Sequence, residues 1–256
     1  MCSMLCMQVI GILLFTEMVD RGNNYEYIRP GLPTLRTQDG PTCLFNAIGY
    51  TTDLAWPGVW IDADSYADDY ESQLLVPVGY DWNPRAVTAL ELFKNRGVKA
   101  ICKDGNEIRV RIAGYKCHAP MIHERVFPMI ESGANLMGTF AVRPKEFANL
   151  GDRIYELDTP FQHNEHPASH IVTFVGHGKK NGRPYLVFLN THGSEFGTLG
   201  LGRVYFDQVF QDPREEHKGF RFISVLAGAH PTQAAKRGRR QHTTRTQEEQ
   251  RRKTPY

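Results

Sequence analysis

Residues Ser169 to Tyr205 read S-H-I-V-T-F-V-G-H-G-K-K-N-G-R-P-Y-L-V-F-L-N-T-H-G-S-E-F-G-T-L-G-L-G-R-V-Y. His170 to Gly176 and Tyr185 to Asn190 are short apolar runs of strand length. A histidine therefore opens one strand, and an asparagine closes the next, just before a loop punctuated by glycines.

Upstream, Thr37 to Tyr50 reads T-Q-D-G-P-T-C-L-F-N-A-I-G-Y, one cysteine just after a Gly-Pro turn and ahead of an apolar run. Pro41 suits a first helical turn, where its missing N–H has no helical partner to lose. Asp39 or Gly40 can cap that helix. The expectation is a helix with Cys43 in its first turn, where the positive end of the dipole favours thiolate over thiol. Gln38, five residues earlier, offers two N–H donors. A reactive thiol beside a donor for a developing oxyanion is the start of an acyl-transfer site. Read alone, the segment equally describes a buried helix cysteine behind a loop glutamine.

Taken together the two stretches resemble the papain-like cysteine peptidase family, whose second half carries a strand-opening His, then V-G-Y-G, then N-S-W-G. Here the corresponding residues are His170, V-G-H-G at Val175 to Gly178, and N-T-H-G at Asn190 to Gly193. E-F-G-T-L-G-L-G-R-V resembles the family's W-G-x-x-G-Y-x-R-[VI]. His170 lies 127 residues and Asn190 147 residues beyond Cys43, close to the separation of about 130–150 expected of that family. E-S-Q-L-L-V at Glu71 to Val76 and A-L-E-L-F-K-N-R-G-V at Ala89 to Val98 resemble its S-E-Q-x-L-V and the following helix. The resemblance spans roughly Tyr25 to Val225.

It implies an α+β fold of two lobes, helical on the left and β-barrel-like on the right, with the active-site cleft between them. It implies Cys43 as nucleophile, His170 as base, Asn190 as the residue orienting the imidazole, and Gln38 as an oxyanion donor. Asn83, Pro84, Ser169 and His192 fall where the family lines its substrate channel. The implied activity is that of an endopeptidase hydrolysing peptide bonds through a Cys thioester, with a peptide or protein substrate and no cofactor. The chemistry itself asks for these types: a thiol with a base, a neutral amide to fix the ring, and an imidazolium to protonate the leaving amine.

Four departures keep a second reading open, a catalytically impaired module that binds peptides or proteins. Gln38 is one residue closer to Cys43 than in Q-x5-C, and a missed oxyanion donor costs about 10²–10³-fold in rate. Leu44 replaces the aromatic after the nucleophile, and His192 replaces the Trp that shields the Asn–His bond. Asp81, Trp82, Asn83 and Pro84 stand where the family has C-N-G-G, and Pro84 has no N–H to offer a substrate.

The remaining chain bounds the answer. Its 256 residues, 41% hydrophobic and 23% charged, suit a soluble globular protein with a full core. Residues 229–256 carry eight Lys/Arg against two Glu, so the net +2 hides a chain near −4 before that tail, and no nucleic-acid surface is expected on the folded part. The tail reads as a solvated extension. Residues 1–24 read as an N-terminal extension whose apolar run is too short to span a membrane and lacks the flanks of a signal peptide. Residues 25–228 are expected to form the peptidase-like domain, and no inhibitory propeptide is recognisable in the residues ahead of it. The five cysteines, at 2, 6, 43, 102 and 117, match none of the family's bridges, and Cys102 and Cys117 read as reduced strand residues. The family implies a secretory, lysosome-like or vacuolar setting, while the absent bridges and signal suggest the cytoplasm. H-N-E-H-P-A-S-H brings His163, His166 and His170 close in sequence, but Pro167 breaks any helix that would align them, and no metal site is expected. Helices are expected at Pro84 to Arg96 (capped by Asn83), Val126 to Gly133 and Pro144 to Leu150. Strands are expected at Glu107 to Cys117, Leu136 to Val142, Leu201 to Phe206 and Phe220 to Leu226.

Overall fold

A computed structural model describes residues 22–38, 40–72, 82–118, 121–157, 168–210 and 222–231. The N-terminal apolar run, most of E-S-Q-L-L-V, His163 and His166, and the basic tail lie outside the described residues.

The chain folds as mixed α and β. Strand β1 (Tyr25–Ile28) leads to helix α1 (Cys43–Ala55), strand β2 (Val59–Ile61), and helices α2 (Ala63–Glu71) and α3 (Trp82–Asn95). Strands β3 (Val98–Cys102) and β4 (Glu107–Val110) complete a small antiparallel sheet of order β2-β3-β4. This half buries Leu44, Phe45, Ile48, Tyr66, Leu90 and Phe93 in one cluster. Strand β5 (Gly114–His118), helix α4 (His123–Glu131), strand β6 (Leu136–Val142), helix α5 (Pro144–Ala148) and strands β7 (Ala168–Lys180), β8 (Arg183–Leu189), β9 (Leu201–Tyr205) and β10 (Phe222–Leu226) make up the rest. Their sheet runs β5-β10-β6-β7-β8-β9, with β1 joined to β7. Phe140, Phe174, Phe188 and Phe222 fill its core.

This larger sheet corrects the barrel-like expectation. It is an open sheet ending at β5 and β9. Strand β7 organises it: β6 pairs with its first half, from Ala168 to Phe174, and β1 pairs with Gly176 to Lys179. The glycines of V-G-H-G are required there. A methyl group at Gly176 or Gly178 would collide with the carbonyl oxygens of Tyr27 and Tyr25 on β1. Helix α1, buried from Cys43 to Thr52, lies against β7, where Thr173 Oγ1 donates to the Ala47 carbonyl at 2.7 Å.

Several sequence expectations shift. Helix α1 begins at Cys43 with Thr42 at the N-cap, so Pro41 stays ahead of the helix and Gly40 is not its cap. The reason is local: Gly40, at φ +64°, turns the chain early, and its carbonyl accepts from the Thr42 N–H at 3.0 Å. Helix α3 already includes Trp82, so Asn83 sits inside its first turn instead of capping it. Gly97 ends α3 as expected, at φ +76° with its N–H shared by the Leu92 and Phe93 carbonyls. The single strand expected over Glu107 to Cys117 is two, because β4 pairs with β3 in the small sheet and β5 with β10 in the large one. Cys102 and Cys117, on β3 and β5, are both free thiols. Helix α4 starts three residues before the expected Val126 and runs through Pro128.

Candidate active site

The strand-opening histidine and the strand-closing asparagine meet because β7 and β8 are antiparallel neighbours. His170 Nε2 lies 2.9 Å from Asn190 Oδ1, and both residues are buried. An amide oxygen only accepts, so Nε2 carries the proton and, in the neutral ring, Nδ1 keeps its lone pair. The Asn190 amide nitrogen donates in turn to His192 Nδ1 at 2.7 Å. His192 is partly exposed, stacks on Phe196 at 5.7 Å between ring centroids and meets Phe147 edge-on. Phe147 also packs edge-on against His170 at 4.9 Å. The shield expected from the family's Trp is thus supplied by Phe147 on α5 and by His192 itself.

Cys43 is reached from the other side. Its thiol is buried at the start of α1, bonded to the backbone of Ile171, the residue after His170. Burial pushes this thiol above its ordinary value, against the backbone of Ile171 and Leu44 and the Arg85 guanidinium, which pull it down. Burial thus opposes the thiolate that the helix terminus was expected to favour. Burial likewise pushes His170 down to about 4, opposed by the Asn190 hydrogen bond and reinforced by the nearby His192 ring. Burial thus favours the neutral form of each of the two groups.

Gln38 sits in the same corner but is tied to its own loop. Its amide nitrogen donates to the Gly40 carbonyl at 2.8 Å, and its oxygen accepts from the Thr191 hydroxyl. Its backbone N–H donates to the Thr191 carbonyl at 2.8 Å, which fixes the segment before Cys43 against the one after Asn190. Ser169 pairs with Ala141 across β6 and β7, next to His170. Asn83 and Pro84 lie in the first turn of α3, and their side chains are outside the described residues.

Sequence reasoning missed three supports. The buried Tyr50 hydroxyl donates to the Asn190 carbonyl at 3.0 Å and accepts from the Arg36 N–H at 2.6 Å. Arg36 grips both carboxylate oxygens of Asp53 and donates to the Ile61 carbonyl at 2.8 Å. Arg85 stacks over Phe45 and Tyr70 near the thiol. Tyr50 lies two helical turns beyond Cys43, on the same face of α1, which was the one signal available. Among the described residues no cluster of His, Cys, Asp and Glu could hold a metal, and no helix is long and apolar enough to cross a membrane.

No family model matches the sequence, and no curated protein matches it. Solved structures do match. A digestive procathepsin L2 proteinase from the larval midgut of Tenebrio molitor has a TM-score of 0.55 at 14% identity, over 84% of this chain and 70% of its own. A procathepsin B from Trypanosoma congolense has a TM-score of 0.52 at 15% identity, over 83% and 80%. A Carica candamarcensis cysteine protease, solved in complex with E-64, has a TM-score of 0.53 at 13% identity, over 80% of this chain and 99% of its own. These neighbours give the chain the fold of the papain-like cysteine proteases.

Proposed function

We propose that the protein is a thiol endopeptidase whose nucleophile is Cys43 and whose base is His170. The observation that carries this reading is the Asn190 side-chain oxygen on His170 Nε2, which leaves Nδ1 as the basic nitrogen. In the first step Nδ1 takes the thiol proton as sulfur bonds to the scissile carbonyl carbon, and the carbonyl electrons move to oxygen. The Cys43 backbone N–H, in the first turn of α1, donates to that oxygen in this reading. Collapse of the intermediate breaks the C–N bond, and the imidazolium gives its proton to the leaving amine. Water, deprotonated by the same ring, then releases the thioester. Because burial favours the neutral form of both partners, the proton moves during attack instead of before it.

A second reading, a peptide-binding module, draws on the buried thiol and on the Gln38 amide already bonded to Gly40. Incubating the purified protein with a denatured proteome and sequencing the new N-termini separates the two. The peptidase reading expects cleavages that disappear in Cys43→Ala. Peptides retained uncut by both proteins would leave only the binding module.

A further inference from the structure

Asn190 stands between two imidazoles, its side-chain oxygen toward His170 Nε2 at 2.9 Å and its nitrogen toward His192 Nδ1 at 2.7 Å. That orientation needs a proton on His170 Nε2 and none on His192 Nδ1. We propose that His192 is a positioning residue and the proton sensor of this site: its unprotonated Nδ1 fixes the Asn190 amide, and the amide fixes the His170 tautomer. The proposal rests on the reading of His170 as the base.

The proton balance is simple. One proton added at His192 Nδ1 turns an acceptor into a donor, facing an amide nitrogen that also donates. The contact is restored when the Asn190 amide turns over, giving its oxygen to His192 Nδ1–H and its nitrogen to His170 Nε2. His170 Nε2 must now accept, so its proton leaves to solvent and another binds at Nδ1. The ring stays neutral, but the nitrogen needed as base is blocked. His170 is too buried to take up a second proton instead, and its environment holds it neutral down to about 4.

Burial lowers the pKa of His192, and the charged groups around it are either exposed or engaged by other partners. His170 on β7 is the ionisable group coupled to it electrostatically. Lys145 and Glu146 on α5 and Glu195 on its own loop are exposed to solvent. Glu146 lies 3.9 Å from Arg143, and Arg36, beside the Thr37 segment that bridges to His192, is held by Asp53. Phe147 and Phe196 hold the ring in place, so the hydrogen bond can change polarity without moving the ring.

Long-range proton–nitrogen NMR of the full chain labelled at histidine nitrogen reads both tautomers without any substrate. At pH 7.5 the expected result is Nε2–H on His170 and an unprotonated Nδ1 on His192. As pH falls through the His192 titration, His170 should convert to Nδ1–H at the same midpoint, and labelling of Cys43 by a peptidyl epoxide should drop about 10⁴-fold, the cost of a base held in the wrong tautomer. His192→Phe, which keeps the ring stack, should abolish that conversion and its inflection in labelling. Should this variant fail to fold, the wild-type titration alone decides. A His170 ring that keeps Nε2–H while His192 titrates, or that shows Nδ1–H at pH 7.5, overturns the proposal. Tautomer conversion without any labelling would sink the peptidase reading and leave the relay standing. Labelling with no conversion would do the reverse.

Discussion

Asn190 Oδ1 accepts from His170 Nε2 at 2.9 Å with both residues buried, so the folded protein holds a histidine that resists protonation. Its pKa is pushed down to about 4 from an ordinary 6.5 by burial. Between those values the unfolded chain binds a proton here and the folded chain does not. Stability from this residue is therefore complete above about pH 6.5 and is lost as pH falls toward about 4. Urea unfolding at pH 7.5 and 4.5 should show wild type losing about 2–3 kcal/mol more than His170→Gln over that interval. Equal losses would contradict the assignment.

Tyr50 ties the helix that bears Cys43 to the backbone of Asn190. Tyr50→Phe leaves the Arg36 N–H and the Asn190 carbonyl without that hydroxyl in a fully buried site. The expected cost is about 1–3 kcal/mol in chemical denaturation. A variant within a few tenths of wild type would mean that the bridge carries no stability.

The Arg36–Asp53 pair is buried on both sides, with side-chain exposures of 4% and 10%. Removing one partner strands the other's charge, so Asp53→Ala should destabilise by about 3–5 kcal/mol. The double variant Arg36→Met with Asp53→Ala should recover part of that loss. A double variant as unstable as the sum of the singles would show the two charges to be uncoupled.

Cys43 should behave as a buried thiol toward small reagents. Only the thiolate reacts with iodoacetamide, and burial holds its fraction down. Its alkylation rate should therefore rise steadily between about pH 6 and 9. A plateau beginning near pH 5 would reveal a preformed thiolate–imidazolium pair instead.

The fold was legible where one residue pattern had one outcome. Leu136 to Val142 is apolar apart from Thr139, and β6 has those bounds. V-G-H-G marked β7 because only glycine tolerates the approach of β1. The split of β4 from β5 was not legible, since alternation reports a strand but not which sheet receives it. Within the site, residue types and order pointed to His170 and Asn190, whose pairing follows from antiparallel neighbours. The Tyr50 bridge spans 140 positions, and no local pattern encodes it. The burial that opposes a Cys43 thiolate was not legible, because the helix terminus is visible in sequence while the depth of burial is not. His192 was read as a lost shield, and its role as acceptor for Asn190 needed the geometry.

The most direct measurement is mass-spectrometric reading of Cys43 after exposure of the folded protein to a peptidyl epoxide at neutral pH, with His170→Ala alongside. The account predicts stoichiometric modification of Cys43 in wild type and a loss of labelling in His170→Ala. A folded wild-type protein that stays unmodified, or labels at the same rate without His170, would contradict it.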